Sequence, residues 1–255
     1  MRYFESRVYL CFMQEMENAL VIDAGNTRIK VAVFEQDTLI HQFACDNTED
    51  EMFLEVIRNN QSNPAIISSV LSVDATELLH NLIPHAVLFT AKLNLPITVA
   101  YETPSTLGVD RLANAIAANH LSNSNALVID LGTCIKYDCI TEKGIYLGGA
   151  ISPGIRQRYE AMHQFTGKLP LVTDFFKAPE LASNTLDALR SGVMNGIKHE
   201  IDGFITYYKA EFPQLTIFLT GGDHLHFDMG SKSGIFADEN LTLKGLLIAL
   251  KHVYA

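Results

Sequence analysis

Apolar residues along this chain follow two rhythms. Short, nearly unbroken apolar runs bounded by Gly, Pro, Asn or Asp alternate with stretches whose apolar residues recur every three or four positions. The first pattern predicts buried strands and the second amphipathic helices. Strands are expected over residues 20–23, 29–34, 38–45, 65–70 and 86–89. Helices are expected over 49–60, where Met52, Phe53, Val56 and Ile57 share a face, over 75–82, and over 111–121. A loop rich in Pro, Thr and Gly fills residues 95–109. The second half predicts strands at 126–130, 134–141 and 144–147, a strand end and turn from Gly148 to Gly154, and a helix at 155–165. A polar loop with Asn184 and Thr185, a long helix over 186–211, a strand at 217–220 and a closing helix at 243–253 complete the pattern.

The order is therefore stated twice. The pentapeptide Ala19-Leu20-Val21-Ile22-Asp23 recurs letter for letter from Ala126 to Asp130, 107 residues later. In each copy an apolar strand ends in an acid, a Gly-containing turn follows, and a second β-rich strand returns. Two βββαβα-like halves are the pattern of the actin-like, ribonuclease-H-like superfamily, an α/β class with a mixed sheet in each half. This predicts two actin-like subdomains, residues 18–115 and 116–255, with a nucleotide cleft between them and an N-terminal extension over 1–17. A dinucleotide-binding fold fits poorly: no GxGxxG follows the first strand, and its turn leads to a strand rather than a helix.

Composition narrows the partners. With 255 residues, 48% of them hydrophobic and 19% charged, the chain can bury a sizeable core. A net charge of −10 argues against general nucleic-acid or anionic-membrane binding. Such a protein must neutralise a polyphosphate locally, with N–H groups, a metal or a few placed cations. Cys11, Cys45, Cys134 and Cys139 form no CxxC pair and read as reduced thiols in a cytoplasmic protein. Residues 1–15 lack the marks of a signal peptide and read as an extension of little functional weight.

The chemistry concentrates at the turns. Asp23-Ala24-Gly25-Asn26-Thr27 offers a carboxylate for Mg²⁺ beside a glycine that lets the main chain approach a phosphate. The same letters suit a plain hairpin, and recurrence after an identical strand favours phosphate binding. Asp130-Leu131-Gly132-Thr133 is the second copy, with Thr133 as a phosphate donor and Asp130 as a cation ligand. Lys136 reads as a solvated strand residue rather than a phosphate contact. Gly108-Val109-Asp110-Arg111 opens a helix, where Asp110 suits either an N-cap or a general base for an attacking alcohol. Arg111 can clamp a carboxylate with its planar fork. Gly221-Gly222-Asp223 is either a turn or a place where main chain lies against a nucleotide. His224 and His226 read as solvated loop residues, and no GxSxG or triad pattern supports a serine or cysteine nucleophile.

Taken together, DAGNT (23–27), GVDR (108–111), DLGT (130–133), GGAISPG (148–154), Lys168-Leu169-Pro170, Asn184-Thr185 and TGGD (220–223) resemble the type III pantothenate kinases from about Leu20 to the C-terminus. The resemblance implies transfer of the γ-phosphate of ATP to the primary hydroxyl of pantothenate, the first step of coenzyme A biosynthesis. It implies ATP contacts from Asp23, Ala24, Gly25, Asn26, Thr27, Arg28, Ile29, Lys30 and Thr133. Pantothenate contacts would come from Tyr101, Gly108, Val109, Asp110, Arg111 and Thr185, with Asp110 as the base. Asp130 would hold potassium or ammonium, Mg²⁺ would accompany ATP, and the enzyme would be a homodimer. Lys136 and Cys134 depart from the residues usual there. Two other readings share the fold: an inactive nucleotide-binding regulator, and a kinase of another small hydroxyl or carboxyl substrate.

Overall fold

A computed structural model describes residues 16–122, 124–177, 179–227 and 234–255. The extension over 1–15, Cys11 included, lies outside them. The chain divides into two compact units. One contains residues 16–97 together with Thr103–Ala117 and Thr242–Ala255; the other contains Thr98–Glu102 and Ala118–Leu241.

The first unit is built on β1 (Asn18–Ala24), β2 (Ile29–Glu35), β3 (Thr38–Cys45), α1 (Glu51–Asn59), β4 (Ala65–Ser69), α2 (Val73–Leu82) and β5 (Val87–Leu88). Its sheet runs β3-β2-β1-β4-β5, antiparallel among the first three strands and parallel from β1 to β5. β1 is buried on both faces, which is why it reads as a continuous apolar run. Leu20, Ile22 and Ala24 point into a core with Val31, Phe53, Ile57, Ile67 and Leu79. Asp50 and Ser72 cap the two helices, accepting from the N–H groups of Phe53 and Ala75.

The second unit takes in β6 (Thr98–Val99), a two-residue strand that the sequence pattern assigned to loop. Helix α3 (Val109–Leu121) follows, begun in the first unit. Then come β7 (Ala126–Leu131), β8 (Cys134–Ile140), β9 (Ile145–Pro153), α4 (Ile155–Gln164), α5 (Thr185–Arg190), α6 (Gly196–Glu211), β10 (Thr216–Thr220) and β11 (Ile235–Ala237). The sheet order is β11-β10-β7-β8-β9-β6. Leu127, Ile129 and Leu131 face a core with Ile135, Tyr137, Tyr159, Ile197 and Ile201. Their places in β7 match those of Leu20, Ile22 and Ala24 in β1, so the repeated letters mark a repeated packing position.

Two expectations are corrected. The segment Gly148–Pro153 continues β9 rather than ending it. Gly149 sits so close to the Tyr137 carbonyl that a Cβ would collide with it, so its glycine serves strand packing rather than a turn. The long helix expected over 186–211 is interrupted by a π-helical turn at Ser191–Asn195. Helix α7 (Leu241–Tyr254) closes the chain in the first unit. The Thr242 hydroxyl donates to Asn114 Oδ1 of α3 at 2.8 Å in the interior.

Gly245 of α7 lies directly on the main chain of Ala113, within reach of its carbonyl. The obstacle is backbone and cannot swing aside. Gly245→Ala is therefore expected to destabilise the fold by roughly 1–3 kcal/mol through overpacking. That outweighs the gain of about 1 kcal/mol alanine usually brings to a helix interior. The midpoint of denaturant unfolding measures the sign.

Candidate functional site

Each repeated aspartate stands at the end of a central strand, held between two neighbours. In the first unit Asp23 pairs in register with Lys30 of β2 on one side and Ser68 of β4 on the other. The Ser68 hydroxyl donates to Asp23 Oδ1 at 3.1 Å. In the second, Asp130 pairs with Lys136 of β8 and with Thr220 of β10. Both acids thus occupy a place between a lysine and a hydroxyl. The connecting turns differ by one residue: four residues separate the paired Ala24 and Ile29, three the paired Leu131 and Ile135.

The first turn is open to solvent. Gly25 N–H donates to the Arg28 carbonyl at 3.0 Å, closing the turn, while Asn26, Thr27 and Arg28 are exposed. Ala24 and Ile29 are buried in the core, so only their main chain can meet a ligand. Arg28 approaches Asp46 at 3.8 Å between two exposed side chains, a contact that solvent screens to little effect.

The second turn is flanked by glycines, and Thr133 within it is exposed. Gly154 lies against the carbonyls of Gly132 and Thr133, with its N–H donating to Thr133 at 3.2 Å. Gly221, at φ +90°, lies against the Leu131 carbonyl, and a Cβ there would stand 2.5 Å from Asp130 Oδ1. These approaches explain why the GGAISPG and TGGD segments carry glycine at these two positions. The Gln157 side chain accepts from Gly154 N–H at 3.3 Å and from the Cys134 thiol at 3.6 Å.

Lys136 is not a solvated strand residue. Its Nζ lies 2.7 Å from Asp130 Oδ2, with the two side chains only 16% and 12% exposed. Cross-strand register fixes this pair, because residues directly opposite on one sheet face have neighbouring side chains.

Asp110 lies in the first turn of α3 rather than at its cap, since the helix begins at Val109. Its Oδ1 folds back over Gly108 to within 2.6 Å of where a Cβ would stand, so Gly108 leaves room for the carboxylate. Arg111, next along, is 4% exposed. A guanidinium so buried is tolerated only with anionic or hydrogen-bonding compensation. Both residues belong to the first unit, as do Asp23–Lys30; Asp130, Thr133, Tyr101 and Thr185 belong to the second.

Tyr101 lies beside β9. Its ring covers Gly148, whose φ is +90° and whose Cβ would approach the ring at 2.9 Å, and it leans on Tyr146 at 6.2 Å between centroids. The Tyr146 hydroxyl in turn donates to buried Asp138 at 2.7 Å. Thr185 is exposed at the start of α5, behind the Asn184 cap, whose Oδ1 accepts from Asp187 N–H at 2.9 Å. Arg190 ties this helix to Asp174 through two bonds of 2.6 and 2.8 Å and also binds Asp187, three residues back in the same helix, at 3.1 Å. Hydrogen bonds from Asn184 and then Arg190 hold the Asp187 carboxyl below its ordinary pKa.

Some neighbours of the two turns went unread in the sequence, and others were read differently. Ser68 and Thr220 qualify only through register. Glu200 of α6 collects Tyr137, Ser152 and Arg158 at 2.9, 3.1 and 2.5 Å. His224 Nδ1 lies 2.7 Å from the Gly221 carbonyl, and His226 meets the Phe175 ring edge-on at 5.5 Å, so neither is a plain loop residue. Asp223 N–H donates to the Leu131 carbonyl at 2.9 Å. Among the described residues, no group of three or more His, Cys, Asp or Glu side chains is placed to hold a metal ion. Nor is any described helix long and apolar enough to cross a membrane.

With this geometry in hand, comparison with known proteins is direct. The type III pantothenate kinase family model matches residues 19–207. The chain belongs to the type III pantothenate kinase family. A Bacteroides fragilis (strain YCH46) type III pantothenate kinase is 43% identical over 231 residues, covering 89% of this chain and 95% of the relative. One from Flavobacterium johnsoniae is 42% identical over 233 residues, with the same coverages. Among solved structures, a Campylobacter jejuni protein described as a Baf family transcriptional activator superposes with a TM-score of 0.61. It is 23% identical and spans 91% of this chain and 98% of its own. The ethanolamine utilization protein EutJ of Carboxydothermus hydrogenoformans gives 0.50 at 12% identity, spanning 91% and 89%. These two likenesses speak for the α/β fold alone, whereas the kinase relatives carry the family.

Asp223 supplies a test of the electrostatics around the second turn in this kinase. Burial pushes its carboxyl pKa up, His226 and Arg156 pull it down, and Asp130 pushes it up again. An acid with a raised pKa costs stability once ionised, and that cost fades as pH falls through the raised value. Asp223→Asn is therefore expected to melt above the wild type near neutral pH. The difference should close below the ordinary carboxylate value of about 3.9. Paired melting curves across pH check the sign.

Proposed function

We propose that this chain phosphorylates pantothenate with ATP, yielding 4′-phosphopantothenate at the entry to coenzyme A biosynthesis. The observation that carries the reading is the twofold acidic turn, Asp23 and Asp130 in equivalent strand positions, in a chain of this family. ATP contacts fall to Asp23, Gly25, Asn26, Thr27, Arg28 and Lys30, to the main chain of Ala24 and Ile29, and to Thr133. Exposed N–H and hydroxyl donors beside a glycine suit phosphate oxygens. Mg²⁺ accompanies ATP, and the Asp23 carboxylate, a hard oxygen donor beside an open turn, fits a largely hydrated ion of that kind. When bound, that ion neutralises phosphate charge.

Asp110 is assigned as the general base that takes the proton from the pantothenate hydroxyl. Arg111 binds the pantothenate carboxylate through its planar fork, which a lysine could not reproduce. Tyr101, Gly108, Val109 and Thr185 complete the acceptor contacts. Phosphoryl transfer asks mainly for alignment and charge compensation, so rigid helix and strand ends are suitable supports for these groups. The resemblance also implies potassium or ammonium on Asp130, a carboxylate already engaged by Lys136. A cytoplasmic homodimer belongs to the same reading.

A coupled assay with ATP and Mg²⁺ should show turnover of pantothenate and none of glucose or acetate. Phosphorylation of either alternative in preference to pantothenate would reassign the acceptor, and nucleotide binding without turnover would favour a regulator. Asp110→Asn should keep the wild-type circular dichroism spectrum and lose kcat by roughly two to four orders of magnitude. A near-native kcat in that variant would remove Asp110 as the base.

A further inference from the structure

We propose that the Lys136 ammonium is a built-in monovalent cation, making phosphoryl transfer by this chain independent of added potassium or ammonium. The inference rests on the kinase reading and concerns the Asp130 position alone. Three observations carry it. Lys136 Nζ sits on Asp130 Oδ2 at 2.7 Å, and both side chains are largely withdrawn from water. The pair is fixed by β7–β8 register, so the ammonium is delivered by the sheet rather than by a wandering surface side chain. On the other flank Gly221 packs against Asp130 Oδ1 and Thr220 stands opposite in register, 1% exposed, which leaves the carboxylate tightly enclosed.

The chemistry of this donor set fits a tethered ammonium better than a free ion. A lysine head carries one positive charge and three N–H donors, the same charge and donor type as an ammonium ion. Holding it on the strand removes the entropy of capturing an ion from solution. A potassium ion brought to the same carboxylate would meet a like charge at close range in a poorly solvated place. Asp223 lies near enough for Asp130 to push its carboxyl pKa up, and Lys136 is the cation seated directly on Asp130.

The first copy sharpens the contrast. Lys30 holds the equivalent register position opposite Asp23, but Asp23 accepts from Ser68 and its turn is open. The first position therefore keeps the hydrated setting a divalent ion prefers, while the second carries its own charge.

The test compares wild type with Lys136→Thr, in buffers whose only monovalent cation is tetramethylammonium or which also contain potassium or ammonium. Wild-type kcat is expected to be unchanged by potassium. Lys136→Thr is expected to lose roughly tenfold or more in kcat without potassium, a change of about 1.4 kcal/mol, and to regain it as potassium or ammonium is added. Melting temperature gives a readout independent of turnover: the variant should be stabilised by potassium relative to tetramethylammonium and the wild type should not. Saturable potassium activation of the wild type, or a variant equally active in both salts, overturns the inference. If no protein turns over pantothenate in any salt, the kinase reading fails, and the melting comparison still decides the ion site. If Lys136→Thr does not fold, the wild-type potassium titration by both readouts decides alone.

Discussion

Strand register is the constraint on which the site depends. Antiparallel pairing with the following strand and parallel pairing with a later one fix what stands on either side of each central aspartate. Because side chains alternate faces, a slip of one residue would put the acid, the lysine and the hydroxyl on opposite sides of the sheet. The apolar residues of β1 and β7 guard against such a slip, since moving them would turn Leu20, Ile22, Leu127 and Ile129 out of their cores. Hydrophobic burial thus positions the polar groups, and the polar groups need little holding energy of their own.

The two copies have nonetheless taken different characters. The first turn is longer and solvent-facing, and Gly25 N–H closes it on the Arg28 carbonyl. The second is shorter and pressed by Gly154 and Gly221, which belong to segments distant in sequence. The paired charges differ accordingly. In water an ion pair like Arg28–Asp46 contributes little, whereas Lys136–Asp130 lies where breaking one partner would strand the other with little hydration.

Much of this was legible in the sequence because buried strands announce themselves. The limits of β3 were read correctly as residues 38–45, and the doubled acidic turn was visible as repeated letters. The misses have common physical origins. Glycines in β9 read as a turn because their role, room for the Tyr137 carbonyl, depends on a neighbouring strand. β6 and β11 are two and three residues long, too short for any alternation to show. The Lys136 pair and the Ser68 and Thr220 flanks are properties of register, which no single stretch of sequence contains. Asp110 was placed one step outside its helix because a capping residue and a first-turn acid have the same composition.

The π-helical turn at Ser191–Asn195 separates Thr185 and the Arg190 clamp from Glu200 and its three partners. Such a turn accommodates one residue more than an α-helix would. Excising a single amino acid there would restore ordinary winding and leave the two flanking stretches close to their present relative orientation, because the widened turn already absorbs the extra residue. The rod can therefore lose one residue at this turn while both the exposed end that carries Thr185 and its buried continuation, Ile197 and Ile201, stay seated.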